Sequence, residues 1–66
     1  MKDIGQRIKE RRLALGLTGT EVAERIGIAK SNYYRYETTK GDNLSAELVR
    51  PLARVLFTST EYLLGF

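Results

Sequence analysis

The segment Thr18–Glu37, TGTEVAERIGIAKSNYYRYE, decides the fold. Thr18 and Glu21 stand in the T-x-x-E spacing of a capping box, where each side chain satisfies the other residue's backbone N–H, so a helix starts here. Val22, Ala23 and Ile26 share its inner face, and Gly27 stops it after barely two turns. A helix that short is unstable alone in water, so packing has to hold it, and the small Ala23 lets a neighbour approach closely. Ile28 plugs the core at the turn, and a further helix runs from Ala29 or Lys30 to Glu37. On it Tyr33 and Tyr36 turn inward as core, leaving Lys30, Ser31, Tyr34 and Arg35 outward. Two short helices hinged at a glycine, the second presenting long polar side chains, form a geometry that suits the DNA major groove.

Upstream, Asp3 caps a helix over residues 4–15 in which Ile4, Ile8, Arg11, Arg12 and Leu15 follow helical spacing. Gly16 supplies the left-handed stop, and Leu17 the apolar contact that follows it. Downstream, TTKGDNL (38–44) is a polar loop. Ser45 then caps a fourth helix with Leu48, Leu52, Val55 and Leu56 on its apolar side. Pro51 interrupts that pattern. Inside a helix it removes one hydrogen bond and clashes with a carbonyl, at a cost of about 3 kcal/mol. Either the helix kinks, or a turn at 45–49 ends and a new helix begins near Arg50; the second reading is preferred. Ser59 caps a last helix over 60–64, with Leu63 and Leu64 turned inward. The expected architecture is all-α, one domain spanning 1–66.

Composition narrows the function classes. The 66 residues contain neither Cys nor His, which removes disulfides, Cys/His metal sites and the commonest acid–base side chain. A chain this short buries only about 60% of its unfolded surface, so a partner subunit is a natural supplement. The eight acidic residues form no paired-carboxylate motif, and there is no glycine-rich phosphate loop or nucleophile elbow, so catalysis is not expected. The start of the chain, MKDIGQRIKERR, has no continuous apolar run to read as a signal peptide or spanning helix, and a soluble cytoplasmic protein is expected. The net charge of +3 is equally compatible with a solvated mixed surface and with a nucleic-acid partner.

Taken together, these residues resemble a known family. The run Ile4-Gly5-x-Arg7-Ile8-Lys9-x-x-Arg12-x-x-x-Gly16-Leu17-Thr18-x-x-Glu21-Val22-Ala23-x-x-Ile26-Gly27-Ile28 is followed by Ser31-x-Tyr33-x-Arg35-Tyr36-Glu37. Leu52-Ala53-x-x-Leu56 and Ser59-x-Glu61-Tyr62-Leu63-Leu64-Gly65 complete it. The order and spacing resemble the phage-repressor/Cro type of helix-turn-helix domain, the XRE family, over nearly the whole chain. The resemblance implies a compact five-helix domain of the lambda-repressor-like type, with the helix-turn-helix at its second and third helices. It also implies a transcription regulator, a repressor by this reading, that binds a two-fold double-stranded DNA operator as a homodimer with its third helix in the major groove. No cofactor, metal, membrane or small-molecule ligand is implied.

Carried over by position, Lys30, Ser31, Tyr34 and Arg35 fall on the family's base-reading positions, and Asn32 on a base or phosphate contact. Arg or Lys can donate to the O6 and N7 acceptors of guanine. Arg12 and Glu37 align with an ion pair tying the first helix to the end of the third, the alternative being two exposed unpaired charges. Many relatives carry Gln where this chain has Gly19. The amides of Gly19 and Thr20 are expected to face a phosphate, assisted by the Thr18 or Thr20 hydroxyl, with Lys40 as a further phosphate contact. Ala29 stands where a Ser or Thr often caps the third helix. Phe57 replaces a frequent Gly, and with Tyr62 and Phe66 is expected at a dimer contact; completion of the core is the alternative for Phe57. A protein-interaction module, such as an antitoxin-type subunit using the same fold, is the competing function.

Overall fold

A computed structural model describes residues 3–39 and 44–66. Five helices follow in order: α1 (Ile4–Ala14), α2 (Gly19–Ile26), α3 (Lys30–Thr38), α4 (Ala46–Val55) and α5 (Thr60–Leu64). Among the described residues there is no strand, and no helix is long and apolar enough to cross a membrane.

Local chemistry sets the starts. Asp3 and Gln6 form one capping box, Thr18 and Glu21 a second, and the Ser59 side chain accepts from the Tyr62 amide at 3.0 Å. Ala29 and Ser45 stand at the other two starts without a side-chain cap.

Four of the five stops share one device. After α1, α2, α4 and α5 the chain wraps back so that the amides of Leu17, Ile28, Thr58 and Phe66 reach the carbonyls of Arg12, Ala23, Ala53 and Glu61, at 2.9–3.0 Å. The wrap needs a left-handed residue. Gly16, Gly27 and Gly65 supply it at φ 71°, 77° and 87°, and Phe57 supplies it at φ 53°.

The core is a cluster of Ile8, Val22, Ala23, Tyr33, Tyr36, Val49, Leu52, Ala53, Leu56 and Leu63, with Leu17, Ile26 and Ile28 packed against it. Through it α2 packs on α3 and α4, while α1 packs on α3 and α5. Gly5 lets α1 lie directly on the end of α3: a Cβ there would stand 2.5 Å from the Tyr36 carbonyl oxygen and 3.1 Å from that of Glu37.

Several sequence expectations are corrected. α4 is one helix over 46–55 with Pro51 inside it, rather than a turn followed by a new start near Arg50. Its inner face, Val49, Leu52, Ala53 and Leu56, is continuous across the proline, so burial holds the helix together despite the missing N–H donor. Leu15 ends outside the core at 36% exposure because α1 has already stopped, and Leu64 is 48% exposed because a five-residue helix offers the core a single deep position, taken by Leu63.

Candidate nucleic-acid interface

The third helix has two unlike sides. Tyr33 and Tyr36 are buried, whereas Lys30, Ser31, Asn32, Tyr34 and Arg35 are all exposed. The buried side is fastened by a polar network. Arg12 meets Glu37 with both prongs of its guanidinium, Nε to Oε2 at 2.7 Å and Nη2 to Oε1 at 3.1 Å, and its Nη1 donates to the Leu17 carbonyl at 3.1 Å. The Tyr33 hydroxyl donates to the same Glu37 carboxylate. The Arg12 and Glu37 side chains are only 11% and 5% exposed. The hydrogen bond to Glu37 raises the Arg12 pKa further above its already high ordinary value. Arg12 and the nearly enclosed Glu37 carboxylate together thus join α1, the turn before α2 and the end of α3.

At the other end of the interface, Thr18 is exposed but already engaged: its Oγ1 accepts from the Glu21 amide at 3.1 Å, and its own amide donates to Glu21 Oε1 at 2.9 Å. Those bonds hold the Glu21 carboxyl below its usual range. Thr20 is half-buried. Gly19 is buried, and the Tyr34 ring lies over it, so that a Cβ at Gly19 would stand 2.5 Å from both Cε1 and the hydroxyl oxygen of Tyr34. Tyr34 therefore leans on the first turn of α2 instead of standing clear of it, and it remains 39% exposed. Its ring also meets Tyr33 edge-on, with centroids 5.6 Å apart and planes at 71°. Nothing in the helical periodicity of α3 signals this seat, because it arises from an approach between two helices. Lys40 lies outside the described residues.

The three aromatics assigned to an interface between copies sit near the end of the chain at 76% exposure for Phe57, 39% for Tyr62 and 91% for Phe66. The exposure of Phe57 overturns the alternative in which its ring completes the core. Arg11 fastens this corner: Nε and Nη2 donate to the Leu56 carbonyl at 3.1 and 2.8 Å, and Nη2 to the Phe57 carbonyl at 3.0 Å. One turn earlier the Arg7 guanidinium stands 6.0 Å from the Tyr62 ring centroid. The sequence did carry a signal for Arg11, a cation on the same helical stripe as Ile4 and Ile8, which needs a partner wherever that stripe is buried.

Comparison with known proteins agrees with this geometry. The family described as helix-turn-helix domain matches residues 3–63. An uncharacterized HTH-type transcriptional regulator, YobD, of Bacillus subtilis (strain 168) is 43% identical over 60 residues, covering 91% of this chain and 53% of the relative. The HTH-type transcriptional regulator ImmR of the same organism is 37% identical over 62 residues, covering 94% of this chain and 48% of the relative. The chain therefore spans about half the length of these relatives. No solved structure matches. With α2, the Gly27 turn and α3 inside the matched span, the chain belongs to the helix-turn-helix domain family.

Proposed function

We propose that the chain is a sequence-specific double-stranded DNA-binding domain of a transcription regulator, a phage- or prophage-type repressor acting in the bacterial cytoplasm. It binds a two-fold operator as a homodimer with α3 in the major groove. One observation carries this reading. The outer side of α3, with Lys30, Ser31, Asn32, Tyr34 and Arg35, is open, while its inner side is clamped through Tyr33 and Glu37 to α1. A rod held that firmly brings donors to base edges with little entropy left to lose.

In this reading Lys30, Ser31, Tyr34 and Arg35 read bases, and Asn32 meets a base or a phosphate. The backbone around Gly19 and Thr20, the Thr18 or Thr20 hydroxyl and Lys40 contact phosphate. Phe57, Tyr62 and Phe66 join two copies, setting half-sites about 34–36 Å apart. The names of the two relatives, both HTH-type transcriptional regulators, support the same role.

Selection from a random duplex pool, followed by titration of the parent and of Arg35→Ala, tests it. The parent should prefer the selected duplex over random duplex, and its affinity should fall steeply with salt as phosphate contacts release counterions. Arg35→Ala should lose about 1–3 kcal/mol of discrimination at one base pair. An Arg35→Ala protein that discriminates as the parent does removes α3 from base reading. A parent that ignores duplex at low salt leaves the competing protein-interaction role.

A further inference from the structure

The contact between Tyr34 and Gly19 bears on recognition in a way that neither residue does alone. Residue 19 opens α2 and is buried; Tyr34 sits midway along α3 with part of its ring exposed. The two meet because position 19 has no side chain. A Cβ there would overlap the far end of the phenol, 2.5 Å from Cε1 and from the hydroxyl oxygen, and meets no backbone atom among its nearest neighbours. Such an overlap has a cheap remedy: the Tyr34 side chain rotates away and both helices stay where they are. The contrast with Gly5 is direct, since the nearest atoms there include two backbone carbonyl oxygens.

We propose that Gly19 is a specificity-determining residue, because its bare backbone is the seat that fixes Tyr34 on the reading face. The inference rests on α3 being the reading helix. With glycine at 19, the tip of the phenol rests on the first turn of α2 while the ring packs in a T-shaped pair with Tyr33, so its rotamer is settled before any duplex arrives. A settled ring meets only the base step whose edge or thymine methyl fits that one position. With any larger residue at 19, the phenol is evicted, samples several rotamers and tolerates several base pairs. Residue 19 thus sets base preference through Tyr34, as a positioning residue, apart from the phosphate that its backbone meets in the proposed reading, a contact an alanine there keeps. The chemistry it selects is that of a single base-pair edge beside the ring.

Four variants, Gly19→Ala, Tyr34→Ala, the double of these two and Tyr34→Phe, test this by duplex selection and titration alongside the parent. Nuclear Overhauser effects between the Tyr34 ring and the Gly19 α-protons are recorded on the free parent. The ring–glycine effect should be present. Gly19→Ala should melt within a few degrees of the parent, yet relax preference at one base pair by about fivefold or more. Tyr34→Ala should relax the same base pair, and the Gly19→Ala/Tyr34→Ala double variant should be no worse than either single one. Tyr34→Phe, which keeps the seated ring, should retain most of the preference. Selectivity in Gly19→Ala equal to the parent's at every base pair overturns the inference, as does losses at two different base pairs that simply add. In both cases α3 remains the reading helix as judged by Arg35→Ala. A parent without preference among duplexes overturns both readings, and the ring–glycine effect then reports packing alone.

Discussion

Arg12 and Glu37, on helices that are not neighbours in sequence, form a two-pronged ion pair at 2.7 and 3.1 Å, with the carboxylate side chain only 5% exposed. Glu37 also accepts from the Tyr33 hydroxyl, and Arg12 also donates to the Leu17 carbonyl. Removing one member leaves the other charge buried without its counterpart. Glu37→Ala is therefore expected to destabilise the fold by about 3–5 kcal/mol, a large fraction of what so small a domain possesses. The double variant Arg12→Met/Glu37→Leu should lose much less, since apolar groups of similar volume leave no stranded charge. Urea midpoints of the two variants check this, and equal losses for both would contradict it.

The same network makes the protein sensitive to alkali. Burial first, and then the hydrogen bond and charge of Glu37, push the Tyr33 phenol well above the usual tyrosine value. A folded pKa above the unfolded one means that folding favours the protonated phenol. That contribution is whole below the unfolded value of about 10 and drains away as pH rises towards the folded one. Stability measured by urea unfolding should hold steady across neutral pH and decline above about pH 10. Tyr33→Phe should cost about 1 kcal/mol at neutral pH through the lost donor, and should flatten the alkaline decline. Parallel curves for the two proteins would locate the alkaline sensitivity elsewhere.

Phe57 holds a left-handed backbone that the other three wraps assign to glycine, and its ring is 76% exposed. The conformation costs about 1–2 kcal/mol, and little burial of the ring offsets it within one copy of the chain. Two Arg11 bonds to the Leu56 carbonyl and one to that of Phe57 hold the corner in place. Phe57→Gly should therefore raise the melting temperature of the dilute protein. If the ring joins two copies, the same substitution should also weaken self-association in sedimentation. A stabilised variant that still sediments like the parent would leave the strain with no role in association.

The helix-turn-helix was legible because its signals are local. Thr18 with Glu21, Gly16 and Gly27 act within a few residues of chain, and the structure puts each at the start or stop expected of it. The inward turn of Tyr33 and Tyr36 followed from helical period alone. What the sequence hid depends on approaches between distant segments. The seat of Tyr34 on Gly19 needs the crossing of α2 and α3, and the grip of Arg11 on Leu56 spans 45 positions. Pro51 misled because its local penalty was visible while the compensating burial of Val49, Leu52 and Ala53 was not. Leu15 and Leu64 misled in the opposite sense, since apolar residues at a helix end are not obliged to be inside.

Gly5 gives a last prediction, and one that separates two kinds of crowding. Within α1, alanine is the better helix former by about 1 kcal/mol, so propensity alone says that Gly5→Ala stabilises. The space says otherwise. An added Cβ would stand 2.5 Å from the Tyr36 carbonyl oxygen, and a carbonyl within α3 cannot swing aside as a phenol can. To admit the methyl group, α1 must lift from the end of α3, stretching the Arg12–Glu37 pair about two helix turns further along α1. Overpacking of this kind costs about 1–3 kcal/mol and here outweighs the gain in propensity. Gly5→Ala should thus lower the urea midpoint clearly, while Gly19→Ala, which displaces one half-exposed side chain and no backbone, should leave it nearly unchanged. Equal midpoints for the two alanine variants would show that α1 does not rest on the carbonyls of α3.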